Sequence, residues 1–320
     1  MPLVSVVVPN YNHAPFLKQR LDSILAQTFQ DYELLILDDA STDGSLEIIR
    51  EFQSYHPDTR VLINDCNSGS PFRQWDYGVR EAHGRYVWIA ESDDVADPEL
   101  LASLVAVMRQ DDRIGLAYSG MRYIDEQGNV LARTRLQRPG SSTPADRTTS
   151  GMHEISTQLC ARNTISTVSG ALLRRSRYLK SGLADVGMRY CGDWFLYVRM
   201  LLDSDVGYVD KHMSSMRIHA GSTLHRHYHD PRYLEEIAYI FQFLKRSGIL
   251  SRRSRAKMRH FMARHVCQSL MHSCMPSRRS IRMMRSTEPL FMLHLPYAFT
   301  DLVVSELVGR LRERIGGRQQ

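Results

Sequence analysis

The residues in this chain best suited to chemistry are acids: the pair Asp38-Asp39, the group Glu91-Ser92-Asp93-Asp94 and, far downstream, Asp193. An ionised carboxylate accepts hydrogen bonds, ligates hard cations or takes a proton as a general base. Several carboxylates gathered in one crevice repel each other unless a cation or hydrogen-bond donors satisfy them. A divalent metal carrying a phosphorylated ligand meets that need. Each acid also has a plainer reading. Asp38-Asp39 suits a strand-end turn, Asp97 suits the solvated start of a helix, and Asp193 suits a helix N-cap. His219 stands alone, as a structural histidine or a ligand. His225, His227 and His229 alternate, as a metal face on a strand would, and equally as exposed polar residues beside the C-terminal tail.

What must position these residues is visible just before them. Val4–Val8 ends on Pro9-Asn10-Tyr11-Asn12, Leu34–Leu37 on Asp38-Asp39, and Tyr86–Ala90 on the group beginning at Glu91. Short β-branched and apolar runs read as strands buried on both faces. Helical patterns lie between them: Leu17, Leu21, Ile24 and Leu25; then Leu46, Ile49 and Phe52; then Phe72–His83 with Gly84 as its stop. Strands joined by helical crossovers are parallel, and such sheets bind ligands beyond the carboxyl ends of their strands. The acids therefore converge. Further on, Asp97-Pro98 opens a helix with Leu100, Leu101, Leu104, Val105 and Met108 on its apolar face. Residues 60–64, 114–119, 121–132 and 167–173 read as strands, with a turn over Asp125–Asn129, and residues 193–202 as a helix. Residues 133–151, rich in Arg, Ser, Thr, Pro and Gly, read as a mobile loop over the site, inserted within one fold.

In order along the chain, Val4–Asn12 (VSVVVPNYN), Ser23–Phe29 (SILAQTF), Ile36–Asp43 (ILDDASTD), Gly84–Asp94 (GRYVWIAESDD), Cys191–Trp194 (CGDW) and Arg217–Ser222 (RIHAGS) resemble family 2 glycosyltransferases, over roughly residues 3–225. The resemblance implies an inverting, nucleotide-sugar-dependent enzyme of the GT-A fold: a three-layer α/β/α sandwich around a mainly parallel mixed sheet. It implies that Pro9, Asn10, Tyr11, Asp39 and Asp93 border the donor. Asp39 would accept from the imide N–H of a uracil-type base, Tyr11 would stack on that base or wall it, and Asp93 would contact the ribose or support the site. Asp94 and His219 would hold the Mg2+ or Mn2+ that joins the two phosphates. Asp193 would be the general base. Glu91 stands where many relatives carry Asp, so no direct metal role is assigned to it.

The charge is divided. Residues 1–210 carry 21 Lys/Arg against 28 Asp/Glu, while residues 211–320 carry 20 against 7. The basic tail calls for an anionic partner, with an anionic membrane surface and nucleic acid as candidates. The acidic first half and the lack of aromatic interleaving at 251–259 argue against nucleic acid. From about residue 226 the tail reads as helices, and residues 289–309 are apolar but broken by two prolines, His294, Asp301 and Glu306. That segment reads as a packed helix or an interfacial one. Five cysteines without a paired spacing suggest a reducing compartment, and the opening Met1-Pro2-Leu3-Val4 lacks a basic leader. With no run of about 18 apolar residues, a cytoplasmic protein is expected, peripheral on the inner face of a membrane.

The chain is thus read as residues 1–225, a GT-A domain with a nucleotide-binding half (1–110) and an acceptor half (111–225), followed by a helical basic extension (226–320). The expected activity is metal-dependent transfer of a sugar from a nucleoside-diphosphate donor, uridine or thymidine type, to a hydroxyl of a glycan or lipid-linked acceptor in surface polysaccharide synthesis. The alternative is a catalytically silent adaptor of the same fold. Neither a dinucleotide-binding glycine motif nor a P-loop is present.

Overall fold

The computed structural model describes residues 1–131, 147–222, 230–271 and 276–302. The chain forms two compact units. The first comprises residues 1–155, 163–188 and 192–222; the second comprises residues 156–162, 189–191 and 223–320.

In the first unit, strands β1 (Val4–Asn10), β2 (Tyr32–Asp38), β3 (Arg60–Ile63) and β4 (Tyr86–Ile89) alternate with helices α1 (Ala14–Leu25), α2 (Ser45–Tyr55) and α3 (Pro71–Glu81). There follow β5 (Val95–Ala96), α4 (Leu100–Met108), β6 (Ile114–Ile124), β7 (Arg147–Ser150), α5 (Gly151–Glu154), β8 (Ala171–Arg174), α6 (Arg175–Lys180), α7 (Gly192–Leu201) and β9 (Asp205–Arg217). The sheet runs β3-β2-β1-β4-β8-β6-β9, and the far edge of β9 is shared by β5 and β7. β1 to β4 are mutually parallel, β8 is antiparallel to both β4 and β6, and β9 is parallel to β6.

All seven residues of β1 are buried, which is why the run reads as apolar throughout. Val4, Val6 and Val8 join Leu17 and Leu21 of α1, Ile49 of α2 and Leu104 of α4 in one core. The other face receives α3, whose Gly78 lies so close that a Cβ there would stand 2.3 Å from Val7 Cγ1. Helices cover both faces, so the expected three-layer sandwich around a mainly parallel mixed sheet is present. Each fully buried Val or Leu contributes about 1.5–3 kcal/mol, and these layers hold the strand ends in place.

Several details differ from the expectation. β6 is one strand from Ile114 to Ile124, closed by the anticipated turn, where the Asp125 N–H donates to the Asn129 carbonyl at 2.9 Å. α3 ends at Glu81, and Gly84 is not its cap. A Cβ at Gly84 would lie 2.6 Å from the Ser5 backbone nitrogen, so glycine is needed there for close backbone approach. The strand expected over 167–173 begins only at Ala171, after a 3-10 turn over Val168–Gly170. Of the loop expected at 133–151, residues 147–150 form β7 against β9 and Gly151 opens α5, while 132–146 lie outside the described residues. His225, His227 and His229 also lie outside them.

The second unit consists of α8 (Pro231–Arg246), α9 (Arg252–Met271), α10 (Arg278–Thr287) and a 3-10 segment (Pro289–His294), with a helix beginning at Leu295. Glu236 on α8 accepts the backbone N–H groups of Arg189, Tyr190 and Cys191 at 2.7, 2.9 and 2.8 Å. Lys257 on α9 donates to the Thr157 carbonyl at 2.7 Å. Among the described residues, no helix is long and apolar enough to cross a membrane.

Candidate active site

The end of β2 is built from hydrogen bonds. Asp38 is fully buried, its Oδ1 accepting the Ser41 N–H at 2.8 Å and its Oδ2 accepting Asn10 Nδ2 at 2.8 Å and the Ser41 hydroxyl at 2.7 Å. These bonds hold the next turn, in which Ala40 takes φ +60. A left-handed conformation costs a non-glycine residue about 1–2 kcal/mol, so the turn aims Asp39 under strain. Asp39 Oδ1 accepts from Asn64 Nδ2 at 2.7 Å, the Ser68 N–H at 2.9 Å and Gln74 Nε2 at 2.7 Å. Its Oδ2 accepts from the Ser68 hydroxyl alone, at 2.8 Å, among the described residues. Pro9 and Asn10 are buried at the end of β1 beside this turn, and Tyr11 is exposed at its rim. Asn10 Oδ1 is buried and has no hydrogen-bond partner.

At the end of β4 the acids meet charged groups. Asp93 Oδ2 lies 3.1 Å from His219 Nε2, and the Gly221 N–H donates to His219 Nδ1 at 3.2 Å. His13 crosses the His219 ring at 5.5 Å between centroids, with its Nδ1 2.8 Å from the Ser92 hydroxyl. One ligand atom from each of His13, Asp93 and His219 falls within 4.8 Å of the others. Asp94 faces elsewhere: its Oδ1 accepts the Arg217 N–H at 3.0 Å and its Oδ2 accepts the Thr167 hydroxyl at 3.0 Å. The carboxylate that meets His219 is thus Asp93, not the Asp94 expected beside it.

The electrostatics follow from burial and neighbours. Burial works to raise the Asp93 pKa, but the His219 hydrogen bond and the charges of His13 and His219 outweigh it and hold the group below the usual range. Burial, then the Asp93 charge, push Asp94 up to about 6. Glu91 is driven well above the carboxylate range by burial and by the charges of Asp93, Asp94 and Asp193. Burial lowers the His13 pKa, with Asp93 opposing and His219 reinforcing.

Two arginines hold this loop. Arg20, fully buried over the Trp88 ring at 5.5 Å, donates Nε–H to the Glu91 carbonyl at 2.7 Å, while its Nη1 and Nη2 have no hydrogen-bond partner. Arg217 donates to the Asp93 carbonyl at 2.8 Å and to the carbonyls of Asp125 and Glu126 at 2.8 and 3.0 Å. It staples the acidic loop to the turn after β6.

Asp193 lies in the first turn of α7, which begins at Gly192, one residue before the expected start. Its Oδ1 accepts the Trp194 N–H at 2.6 Å and its Oδ2 accepts Asn163 Nδ2 at 2.8 Å. Gly192 lets this helix start come close to α3, since a Cβ there would sit 2.5 Å from the Phe72 ring. The charge of Asp193 reaches Glu91, and both Asp193 and Glu91, behind burial, raise the Tyr197 hydroxyl well above its ordinary range. Asp193 is therefore near enough to Glu91 for their charges to interact.

Sequence reasoning missed several residues of this site. Arg20 had a signal, because it stands three residues after Leu17 on the apolar stripe of α1, where a charge must be matched inside. His13 follows directly on the Asn10–Asn12 loop end. Asn64, Ser68 and Thr167 carry no such mark, because short polar residues are ordinary in loops, and Gln74 is a polar residue of α3 with no mark of its own.

A family model described as Glycosyl transferase family 2 matches residues 5–178. The chain is 33% identical over 132 residues to a chondroitin synthase of Escherichia coli, an alignment that covers 41% of this chain and 19% of that protein. It spans less than half the length of this and similar curated relatives. Its fold is similar to that of S. aureus TarS 1-349 in complex with UDP-GlcNAc, with a TM-score of 0.61 and 18% identity over 92% of this chain and 81% of that one. It is also similar to the mannosyltransferase PcManGT from Pyrobaculum calidifontis in complex with GDP-Man and Mn2+, with a TM-score of 0.52 and 16% identity over 97% of this chain and 75% of that one.

Proposed function

Because the chain belongs to glycosyl transferase family 2, we propose that it is an inverting, metal-dependent glycosyltransferase. It moves a sugar from a nucleoside-diphosphate donor to a hydroxyl of a glycan or lipid-linked acceptor in surface polysaccharide synthesis. Residues 1–225 form the catalytic domain, and the basic extension from 226 holds the protein against an anionic membrane surface on the cytoplasmic side, where such an acceptor is carried. The observation that carries the reading is the His13–Asp93–His219 ligand set at the end of β4, with Asp193 near enough to Glu91 of the same loop for their charges to interact.

His13, Asp93 and His219 fit a divalent ion, since two imidazoles and a carboxylate are ordinary ligands and Asp93 is held ionised. Hard Mg2+ favours oxygen ligands, so two imidazoles favour Mn2+ of the two ions expected, and a protein of this fold was crystallised with Mn2+. Such an ion supplies Lewis-acid neutralisation of the leaving diphosphate. In this reading Asp94, engaged by Arg217 and Thr167, holds the loop that presents Asp93.

Pro9, Asn10, Tyr11 and Asp39 border the base and Asp93 the ribose side of the donor. Asp39 has one oxygen accepting from three donors and another accepting from one. A single open acceptor position suits the lone imide N–H of uracil or thymine better than the two-donor edge of guanine, which supports a uridine- or thymidine-type donor. The acceptor oxygen attacks the anomeric carbon as the bond to the diphosphate oxygen breaks on the opposite face, and the hydroxyl proton passes to Asp193. One displacement inverts the centre. The hydrogen bonds from Asn163 and Trp194 fix the direction of that carboxylate.

Asp193→Asn tests the assignment. Transfer should fall about 10²–10⁴-fold, the range for general base catalysis, while calorimetric binding of the nucleoside diphosphate with Mn2+ stays unchanged. Unchanged transfer, or binding lost together with transfer, would remove Asp193 from the role of base.

A further inference from the structure

The segment from Pro289 to Leu302 in the second unit is apolar on two sides. Its inner side is packed: Phe291 and Ala298 are fully buried, and Ala298 and Leu302 join Ala263 and Cys267 of α9 in a small core. Its outer side carries Leu290 at 54% exposure, Met292 at 44%, Leu293 at 75%, Tyr297 at 68% and Phe299 at 52%. A surface helix normally turns polar residues outward. A contiguous exposed apolar patch marks a protein or membrane contact. Leu290 and Leu293 stand three apart on a 3-10 turn, so they project from the same side.

Charge selects the occupant. Residues 251–302 hold ten Lys/Arg and only two acids, Glu288 and Asp301. Both acids are consumed internally, Glu288 by Arg259 at 3.1 Å and Asp301 by Arg264. Arg252, Arg253, Arg278, Arg282 and Arg285 are exposed, with no ion-pair partner among the described residues. A second copy packed on this patch about a two-fold axis would bring the same arginines together, at a repulsive cost. An anionic bilayer offers apolar depth beneath a layer of phosphates and meets both needs.

We propose that Pro289–Leu302 is an interfacial membrane anchor. Its outward side chains enter the boundary between headgroups and acyl chains of an anionic bilayer, and the exposed arginines of the same unit bind the lipid phosphates. This rests on the membrane part of the functional reading, which used net charge alone, and adds an apolar element that salt does not screen.

The test is co-sedimentation of the full chain with vesicles of phosphatidylcholine and phosphatidylglycerol, at low salt and at about 1 M salt, where the screening length falls to about 3 Å. The wild type should bind at low salt and keep a bound fraction at high salt. The double variant Leu290→Ser/Leu293→Ser should partition about tenfold or more weakly and lose the salt-resistant fraction, given the apolar area removed. Its melting temperature and nucleoside-diphosphate binding should match the wild type, since both side chains are exposed. Equal partition of variant and wild type at both salts would overturn the anchor and leave attachment by charge standing. No wild-type binding even at low salt would overturn both, with the transfer chemistry judged separately by the diphosphate calorimetry. A wild-type dimer in the absence of vesicles that the double variant dissolves would overturn the anchor in favour of self-association.

Discussion

Two strand ends in the first unit carry acids and solve the same problem differently. At the end of β2, Asp38 and Asp39 are surrounded by neutral donors from Asn10, Ser41, Asn64, Ser68 and Gln74. At the end of β4, Glu91, Asp93 and Asp94 face Arg20, Arg217, His13 and His219, and burial pushes Glu91 and Asp94 toward protonation. The first end is a fixed hydrogen-bonding surface. The second is a charge balance that an added cation can shift. On the proposed reading, in which the site reads a base and holds a diphosphate, it needs one of each.

The largest blow to that contrast is the loss of Arg20. Arg20→Met should destabilise the fold by about 3–5 kcal/mol, as removal of one side of a buried charge set does. If the β4 end is a charge balance, saturating Mn2+ should raise the melting temperature of the variant more than that of the wild type. An equal rise in both would make Arg20 a packing residue only.

Next comes a pair of substitutions that should act separately. Asp39→Asn should weaken UDP binding, measured with chelator present, by about 10–100-fold, the size of a hydrogen bond to a charged group, and leave Mn2+ binding unchanged. His219→Ala should weaken Mn2+ binding by at least about tenfold and leave UDP binding with chelator unchanged. If either variant lowers both affinities alike, the two ends work as one unit.

The smallest effect lies outside the crevice, at a buried acid of the same sheet-and-helix unit held by neutral donors. Asp76 Oδ1 accepts the Tyr178 hydroxyl at 2.7 Å and the Ala184 N–H at 2.9 Å, yet burial raises its pKa. A raised carboxyl favours the protonated fold, so its stabilisation is present at low pH and is lost as pH rises through the folded value. Asp76→Asn keeps the Oδ1 acceptor and removes this dependence. The variant should gain stability relative to the wild type between acid and neutral pH, as denaturant melts at several pH values would show. A constant difference across pH would mean that neutral donors alone keep Asp76 ionised.

The parts of the molecule legible in the sequence are those in which one physical demand dominates. β1, β2 and β4 are buried on both faces and read as apolar runs. β9 did not read as a strand: Asp210, Lys211 and His212 interrupt it, and its pairing with β6 shifts register around Gly120. β7, with the sequence RTTS, is an exposed edge without a periodic signature. The acids were visible because they end strands. Their division of labour was not, because Asp93 and Asp94 are neighbours in sequence and only the fold turns one to His219 and the other to Thr167.

The buried guanidinium of Arg20 has a consequence for how such chains diverge. A cation sealed in the interior favours negative charge beside it whether or not the protein turns over a substrate. Descendants that stopped catalysing would still be selected, through folding, to keep the carboxylates at 93 and 94. Drift would show first at positions the interior does not depend on in this way, at His13, His219 and Asp193. On the proposed reading, those three, more than the acidic loop itself, would distinguish a working relative from a retired one.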